Sequence, residues 1–181
     1  DCDQRMASST WLFLDTFPMA LARGSIHWRP CKSSGSFCVS WRYLYQDKKN
    51  DTEALINYTI ALQYKPNNYK TYNNRALVKG SLKDLDGAMS DLNKSIEINP
   101  NYAESFINRG VTFNVLNEPK KALIDFAKAI EIDPKIPDAY LNRAITNQYL
   151  GNKNEVCPDL NKARDLGDKE VKKWIDILCK N

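Results

Sequence analysis

The sequence predicts an all-α fold: a solenoid of about four antiparallel helix pairs with a capping helix at its C-terminal end. Three observations support this prediction. Pro66, Pro100 and Pro134 recur at intervals of 34 residues. The apolar residues between them recur at helical spacing. An Asn-Arg-small triplet follows each proline at a constant distance: Asn74-Arg75-Ala76, Asn108-Arg109-Gly110 and Asn142-Arg143-Ala144.

The N-terminal segment, residues 1–34, fits no repeat. Its stretch WLFLDTFPMALA, residues 11–22, is apolar and ends like a signal-peptide cleavage site. Asp15 and Pro18 interrupt that stretch, and the residues before it lack the usual positive charge. Two interpretations therefore stay open: a cleaved targeting segment, or a poorly ordered or loosely packed extension.

A degenerate first unit is predicted over 35–68. Its second helix follows the repeat pattern well, whereas Arg42 stands in its first helix where the other copies carry Ala or Gly. Terminal repeats are commonly atypical, because one side of them lacks a neighbour.

Three regular units are predicted over 69–102, 103–136 and 137–168. Each consists of two helices, and Pro119 is placed at the first position of a second helix. Pro137 is placed in the same way at the start of the last unit. Neither helix can bury its apolar face alone, so successive units must stack.

A capping helix is predicted over 169–181. Gly167 is expected to end the preceding helix in the left-handed conformation. Beyond it, an i, i+3, i+4, i+7 apolar stripe has charged residues on its other side. The stripe consists of Val171, Trp174, Ile175 and Leu178. This pattern indicates a helix that covers the end of the stack.

These units resemble the tetratricopeptide repeat in their period, in the proline that closes each unit and in their small and aromatic positions. The early aromatic residues are Tyr72, Phe106 and Tyr140, and the small ones are Ala76, Gly110 and Ala144. The resemblance spans about 35–168. It implies a right-handed superhelix whose first helices line a concave groove, and a non-catalytic protein-binding function.

Composition argues against several other classes of protein. The formal charge is +4, from 26 basic and 22 acidic residues, and no basic stripe suits a phosphate backbone. His27 is the single histidine, and the five cysteines form no CxxC pair. No phosphate loop, zinc motif or nucleophile motif is present. We therefore expect no enzyme activity, no cofactor, no metal site, no transmembrane segment and no nucleic-acid partner.

Three arginines are each followed, 16 residues later, by an aspartate. In the first unit both positions change together, to Trp41 and Asn57. We therefore expect ion pairs within the hairpins rather than an anion-binding ladder. The predicted pairs are Arg75 with Asp91, Arg109 with Asp125, and Arg143 with Asp159.

The asparagines of the triplets, Asn74, Asn108 and Asn142, are the candidate binding residues. The resemblance places them towards the concave groove, where their amides would hydrogen-bond the backbone of an extended peptide. The alternative is local hydrogen bonding to a neighbouring turn. The apolar residues expected to line the same groove are Leu77, Val111, Ile145, Ile107 and Leu141.

Some members of this family bind a C-terminal carboxylate through basic residues on these helices. Here acidic or neutral residues occupy the matching positions, among them Glu104 and Asp138. We therefore expect no binding of acidic chaperone tails. Two alternatives to peptide binding stay open: a homo-oligomerising module and, less in keeping with the repeat, single-stranded RNA binding.

Cys157 and Cys179 are expected to lie level with one another, since they are nearly equidistant from the turn at Gly167-Asp168. They would form a disulfide in an oxidising compartment and stay two small buried apolar residues otherwise. A cytoplasmic location is favoured. An exported or periplasmic location follows if residues 1–22 act as a signal and the two cysteines are oxidised.

Overall fold

A computed structural model describes residues 48–179, and within that range the chain forms eight α-helices and no strand. The helices are α1 (Lys48–Tyr64), α2 (Tyr69–Ser81), α3 (Leu85–Ile98), α4 (Ala103–Val115), α5 (Pro119–Ile132), α6 (Pro137–Tyr149), α7 (Lys153–Asp165) and α8 (Lys172–Leu178). The predicted fold class is confirmed: the chain is an all-α solenoid of helical hairpins. The targeting-like segment and the first helix of the first unit lie outside the described residues.

The hairpins are α2–α3, α4–α5 and α6–α7, and each stacks on its neighbours through α1, α3 and α5. We call α2, α4 and α6 the A helices, and α3, α5 and α7 the B helices. The helix α4 also contacts both α2 and α6, so the A helices form one continuous row. No helix within residues 48–179 combines the length and the hydropathy that crossing a bilayer requires.

Side-chain caps or prolines mark the starts of four of the described helices, α2, α3, α5 and α6. Asn68 accepts the backbone N–H of Thr71 at 3.2 Å, and Asp84 accepts that of Gly87 at 2.9 Å. These bonds satisfy amides that have no partner inside the helix. Pro119 and Pro137 are the first residues of α5 and α6, where a missing N–H removes no helical bond.

Two positions after the last residue of each A helix, the chain adopts the left-handed conformation. The residues at these positions are Lys83 (φ 66°), Asn117 (φ 60°) and Gly151 (φ 80°). The next residue donates its N–H back to a carbonyl of the last turn, as Asp84 does to Lys79 at 2.9 Å. This is the Schellman arrangement, and it turns the chain directly into the B helix.

The core between the helices of each hairpin is built from small and large residues in alternation. In the middle hairpin, Phe126 of α5 is fully buried against Gly110 of α4. Ala122 and Ala129 flank Phe126 one turn away on either side and are also fully buried. The small residues let the two helix backbones approach closely enough to bury the ring.

The last helix, α8, is shorter than predicted, because it begins at Lys172 rather than at 169. The carboxylate of Asp168 accepts the backbone N–H of Glu170 at 3.0 Å, a local turn that competes with helix formation. Val171 is fully buried, and Trp174 and Ile175 pack against the same cluster as Tyr140 and Leu160. The expected apolar stripe is therefore the contact surface, and α8 covers the end of the stack.

Candidate functional site

The row of A helices presents apolar side chains at equivalent positions. Leu77 is 47% exposed, and Val111 and Ile145, which occupy the same place in the next two units, are half-buried. Of the other two predicted groove residues, Ile107 is buried and Leu141 is half-buried. Leu77 is therefore the most accessible apolar side chain of the five.

The three candidate asparagines differ in their surroundings. Asn74 is exposed. Asn108 is half-buried, and its Nδ2 donates to Oδ1 of Asn73 at 2.9 Å. Asn142 is only 7% exposed, and its Nδ2 donates to the backbone carbonyl of Asp138 at 2.8 Å. The structure therefore does not present three equivalent amides, and for Asn142 the local hydrogen bond replaces the expected exposure.

The reason for this difference lies on the preceding A helix. Asn108 has a partner there because Asn73 occupies the facing position on α2. The corresponding position on α4 is Ile107, which can accept no hydrogen bond. Asn142 therefore bonds to the previous turn of its own helix instead.

A buried polar network that the repeat pattern did not predict joins the first two described hairpins. The hydroxyls of Ser95 and Ser105 lie 2.7 Å apart. Ser95 donates to the carbonyl of Tyr69 at 2.8 Å. The single hydroxyl proton of Ser105 then serves either Ser95 or Oδ1 of Asn73, which lies 3.3 Å away. In the next interface the matching residues are Ala129, Ala139 and Ile107. The sequence did contain a sign of this network: three positions that are apolar in the next unit are polar here, and all three face the same interface.

The structure brings together all three predicted arginine–aspartate pairs, each through two N–H···O bonds of 2.7 or 2.8 Å. The bonds join Arg75 to Asp91, Arg109 to Asp125 and Arg143 to Asp159. The aspartate side chains are at most 8% exposed. These carboxylates are therefore held at the hairpin interface and depend on the arginines for solvation.

Further contacts fix the arginines in place. Each guanidinium lies over an aromatic ring of its own helix, with Arg75 over Tyr72, Arg109 over Phe106 and Arg143 over Tyr140. The hydrogen bonds and charge of Asp91 raise the pKa of Arg75 above its ordinary value, and Asp159 has the same effect on the pKa of Arg143.

Two further contacts of these ion pairs were not predicted from the sequence spacing. Nη1 of Arg109 donates to Oδ1 of Asn93 on the preceding B helix at 2.8 Å. Asp91 accepts a second cation, Lys79, at 2.9 Å. The Arg109 bond therefore connects neighbouring hairpins, whereas the Lys79 contact strengthens the pairing within the α2–α3 hairpin.

The charge along the A-helix row is mixed rather than basic. Lys70 and Glu104 are exposed at equivalent positions near the helix starts, and Asp138 is half-buried at the third. Burial raises the pKa of Tyr102 above its ordinary value, and the nearby Glu104 carboxylate adds to this effect. The phenol therefore stays neutral at physiological pH, beside an acidic rather than a basic neighbour.

Cys157 and Cys179 also lie together, joined in a disulfide between α7 and the residue after α8, with Cα atoms 5.7 Å apart. Within residues 48–179 no group of three or more His, Cys, Asp or Glu side chains is arranged to hold a metal ion.

The sequence profile of the Tetratricopeptide repeat family matches residues 69–102 and 103–136. No curated protein sequence matches the chain. Among solved structures, the TPR domain of Arabidopsis OM64 has a TM-score of 0.58 and 25% identity, covering 61% of this chain and 93% of that domain.

Two further structures have the same TM-score of 0.58. The MamA protein is 19% identical, and the match covers 66% of this chain and 65% of MamA, slightly less than two thirds of its length. The first TPR of Spaghetti (RPAP3), bound to an HSP90 peptide SRMEEVD, is 16% identical and is matched over 61% of this chain and 90% of that one. At these identities the two structures support the fold alone.

Proposed function

Since the chain is a tetratricopeptide-repeat protein, we propose that it is a non-catalytic scaffold that binds an extended peptide segment of a partner protein along its A helices. The family is generally a protein-interaction module, and one of the similar structures holds a peptide. The observation that supports this surface most directly is Leu77, an accessible apolar side chain beside the exposed amide of Asn74.

The chemistry of the surface suits a main chain better than a charged terminus. Leu77 offers apolar contact area, and Val111 and Ile145 extend it at the same place in the next two units. Asn74 and Asn108 offer donors and acceptors, which match the alternating C=O and N–H groups of an extended peptide. Asn142, being buried and internally bonded, is left out of the proposed contact set.

The test is a selection from a displayed library of random 12-residue peptides, followed by fluorescence anisotropy with the recovered peptides. Leu77→Asp places a charge on the proposed surface and should abolish binding. Ile124→Asp is the matched control, because Ile124 is an exposed isoleucine, 69% accessible, on the B helix α5. Peptides that bind the Leu77 variant as well as the wild type would move the interface away from the A helices.

Self-association of the chain is the alternative function. Sedimentation of the purified protein over a hundredfold range of concentration separates the two. A mass that stays monomeric while peptides bind supports the scaffold. A mass that doubles with concentration, without peptide binding, supports the oligomerising module.

A further inference from the structure

Asn73 lies between two of the candidate ligand-binding asparagines and bonds to both. Its Nδ2 donates to Oδ1 of Asn74 at 3.4 Å, and its Oδ1 accepts from Nδ2 of Asn108 at 2.9 Å. Asn73 itself is only 3% exposed. Its Oδ1 also lies 3.3 Å from the hydroxyl of Ser105, so the side chain faces polar groups in the interior of the protein.

The bonds among these three amides leave Asn74 with free hydrogen-bond donors and Asn108 with a free acceptor. Asn74 uses its oxygen towards Asn73, so its Nδ2 keeps both N–H groups for a ligand. Asn108 uses an N–H of its Nδ2, so its Oδ1 stays available as an acceptor. A side-chain amide has two donor hydrogens and one acceptor oxygen, and an internal bond to one end determines which atom points outward.

We propose that Asn73 is a positioning residue that orients Asn74 as a hydrogen-bond donor and Asn108 as an acceptor for a bound peptide backbone. The inference rests on the proposed function of the A-helix surface. It specifies the two hydrogen bonds to the peptide: Asn74 donates to a peptide carbonyl, and Asn108 accepts from a peptide N–H.

The last hairpin provides an internal comparison. There the residue equivalent to Asn73 is Ile107, and the asparagine equivalent to Asn108 is Asn142. Without an amide to bond to, Asn142 turns to the carbonyl of Asp138 and is buried. At this place the asparagine bonds to the preceding A helix where that helix supplies Asn, and to its own helix where the preceding one supplies Ile.

A purely structural role would not require asparagine at this position. Ile107 and Leu141 occupy the corresponding positions of the next two units, so an apolar residue packs there without difficulty. A buried amide contributes little net stability compared with an apolar residue of similar size. Asn73 differs from them in two ways: it lies beside the buried hydroxyl of Ser105, and it contacts both Asn74 and Asn108. The methylated peptides described below separate the second contact from the first.

The test uses the peptide recovered from the random 12-residue library, labelled with fluorescein, and four forms of the full chain. These are the wild type, Asn73→Leu, Asn73→Asp and Leu77→Asp. We expect Asn73→Leu to weaken binding about tenfold, because two hydrogen bonds to the ligand lose their orientation. Asn73→Asp keeps the acceptor for Asn108 and loses the donor for Asn74, so we expect a loss of about threefold.

A series of peptides, each N-methylated at one backbone amide, separates positioning from general damage. In the wild type, methylation of the amide that bonds Asn108 should weaken binding about tenfold, and in Asn73→Leu it should have almost no further effect. Circular dichroism melts verify that each variant is folded. If Asn73→Leu does not fold, the same comparison is made with Asn73→Ala, which also removes both amide bonds.

The outcomes distinguish this inference from the proposed function. Binding that Leu77→Asp abolishes and both Asn73 variants leave unchanged overturns the role of Asn73 and leaves the peptide-binding surface standing. An equal loss for every methylated peptide in wild type and variant also overturns it. A library that yields no peptide sensitive to Leu77→Asp overturns the binding surface and the role of Asn73 together.

Discussion

Gly110 and Phe126 are complementary in size across the α4–α5 hairpin. A Cβ atom added to Gly110 would lie 2.6 Å from Cε1 of Phe126, closer than any real contact. The equivalent positions hold Ala76 with Leu92 in one neighbouring hairpin, and Ala144 with Leu160 in the other. Glycine thus accompanies the larger phenylalanine in one hairpin, and alanine accompanies the smaller leucine in the other two.

The first prediction tests this complementarity. Gly110→Ala should lower the free energy of unfolding by about 1–3 kcal/mol through overpacking. Phe126→Leu should lower it by about 1 kcal/mol through a small cavity. The double variant recreates the alanine–leucine pairing of the other hairpins. Its loss in free energy of unfolding should therefore be smaller than the sum of the two single losses. Urea denaturation of all four proteins measures the coupling, and strictly additive losses would contradict it.

Two glycines with open space around them should respond in opposite ways to alanine. Neither Gly80 nor Gly151 has an atom within 4 Å of an added Cβ. Gly80 lies inside α2, so Gly80→Ala should raise the free energy of unfolding by about 1 kcal/mol. Gly151 has φ 80°, so Gly151→Ala should lower it by about 1 kcal/mol. Thermal denaturation compares them, and shifts of the same sign would contradict the backbone argument.

Removal of one arginine should leave an aspartate buried without its partner. Arg109→Ala should lower the free energy of unfolding by about 2–4 kcal/mol, because the Asp125 side chain is 5% exposed and loses both of its bonds. Arg109→Lys should restore only part of this, since an ammonium cannot form the paired bonds. Lys128→Ala is the control, because Lys128 pairs with Glu131 on the surface and its loss should stay within about 0.5 kcal/mol. Chemical denaturation of the three variants is the measurement, and equal losses for Arg109→Ala and Lys128→Ala would show that burial adds nothing.

Acidic C-terminal peptides should not bind. The peptide SRMEEVD, seen bound to a protein of similar fold, carries acidic residues and a terminal carboxylate. The start of α4 offers exposed Glu104 rather than a cation, and like charges repel at short range. Titration calorimetry should detect no heat of binding at micromolar concentration. Micromolar affinity would contradict the expectation, and Glu104→Lys tests whether repulsion at this residue is its cause.

Repeat spacing was sufficient to predict the hairpins, because each depends on residues within one 34-residue unit. The pairing of Arg109 with Asp125 is such a case. Asn142 was not predictable in the same way, since its orientation depends on Ile107, a residue on another helix and in another unit. Lys79 also contacts Asp91 of the Arg75–Asp91 pair. The next unit has Phe113 at the same place, so repeat spacing could not predict this contact. Consensus positions thus indicate the fold, whereas the departures from consensus determine the surface.

The last prediction concerns the link between Cys157 and Cys179, which attaches the short helix α8 to the stack. Helix α8 has seven residues, too few to be stable alone, so it depends on packing and on this link. The bond spans 22 residues of sequence. Its reduction should lower the free energy of unfolding by about 2–4 kcal/mol, through the larger conformational freedom of the unfolded chain.

Hydrogen exchange with and without dithiothreitol should show where this loss falls. We expect the amides of α8 to exchange faster on reduction, while those of α4 and α5 keep their relative protection, because α7 is the only described helix whose backbone lies close to that of α8. The double variant Cys157→Ser, Cys179→Ser is the control and should be insensitive to the reductant. Alkylation of both cysteines in protein purified without reductant would show that the bond is absent, and α8 would then be held by apolar packing, through Val171, Trp174, Ile175 and Leu178.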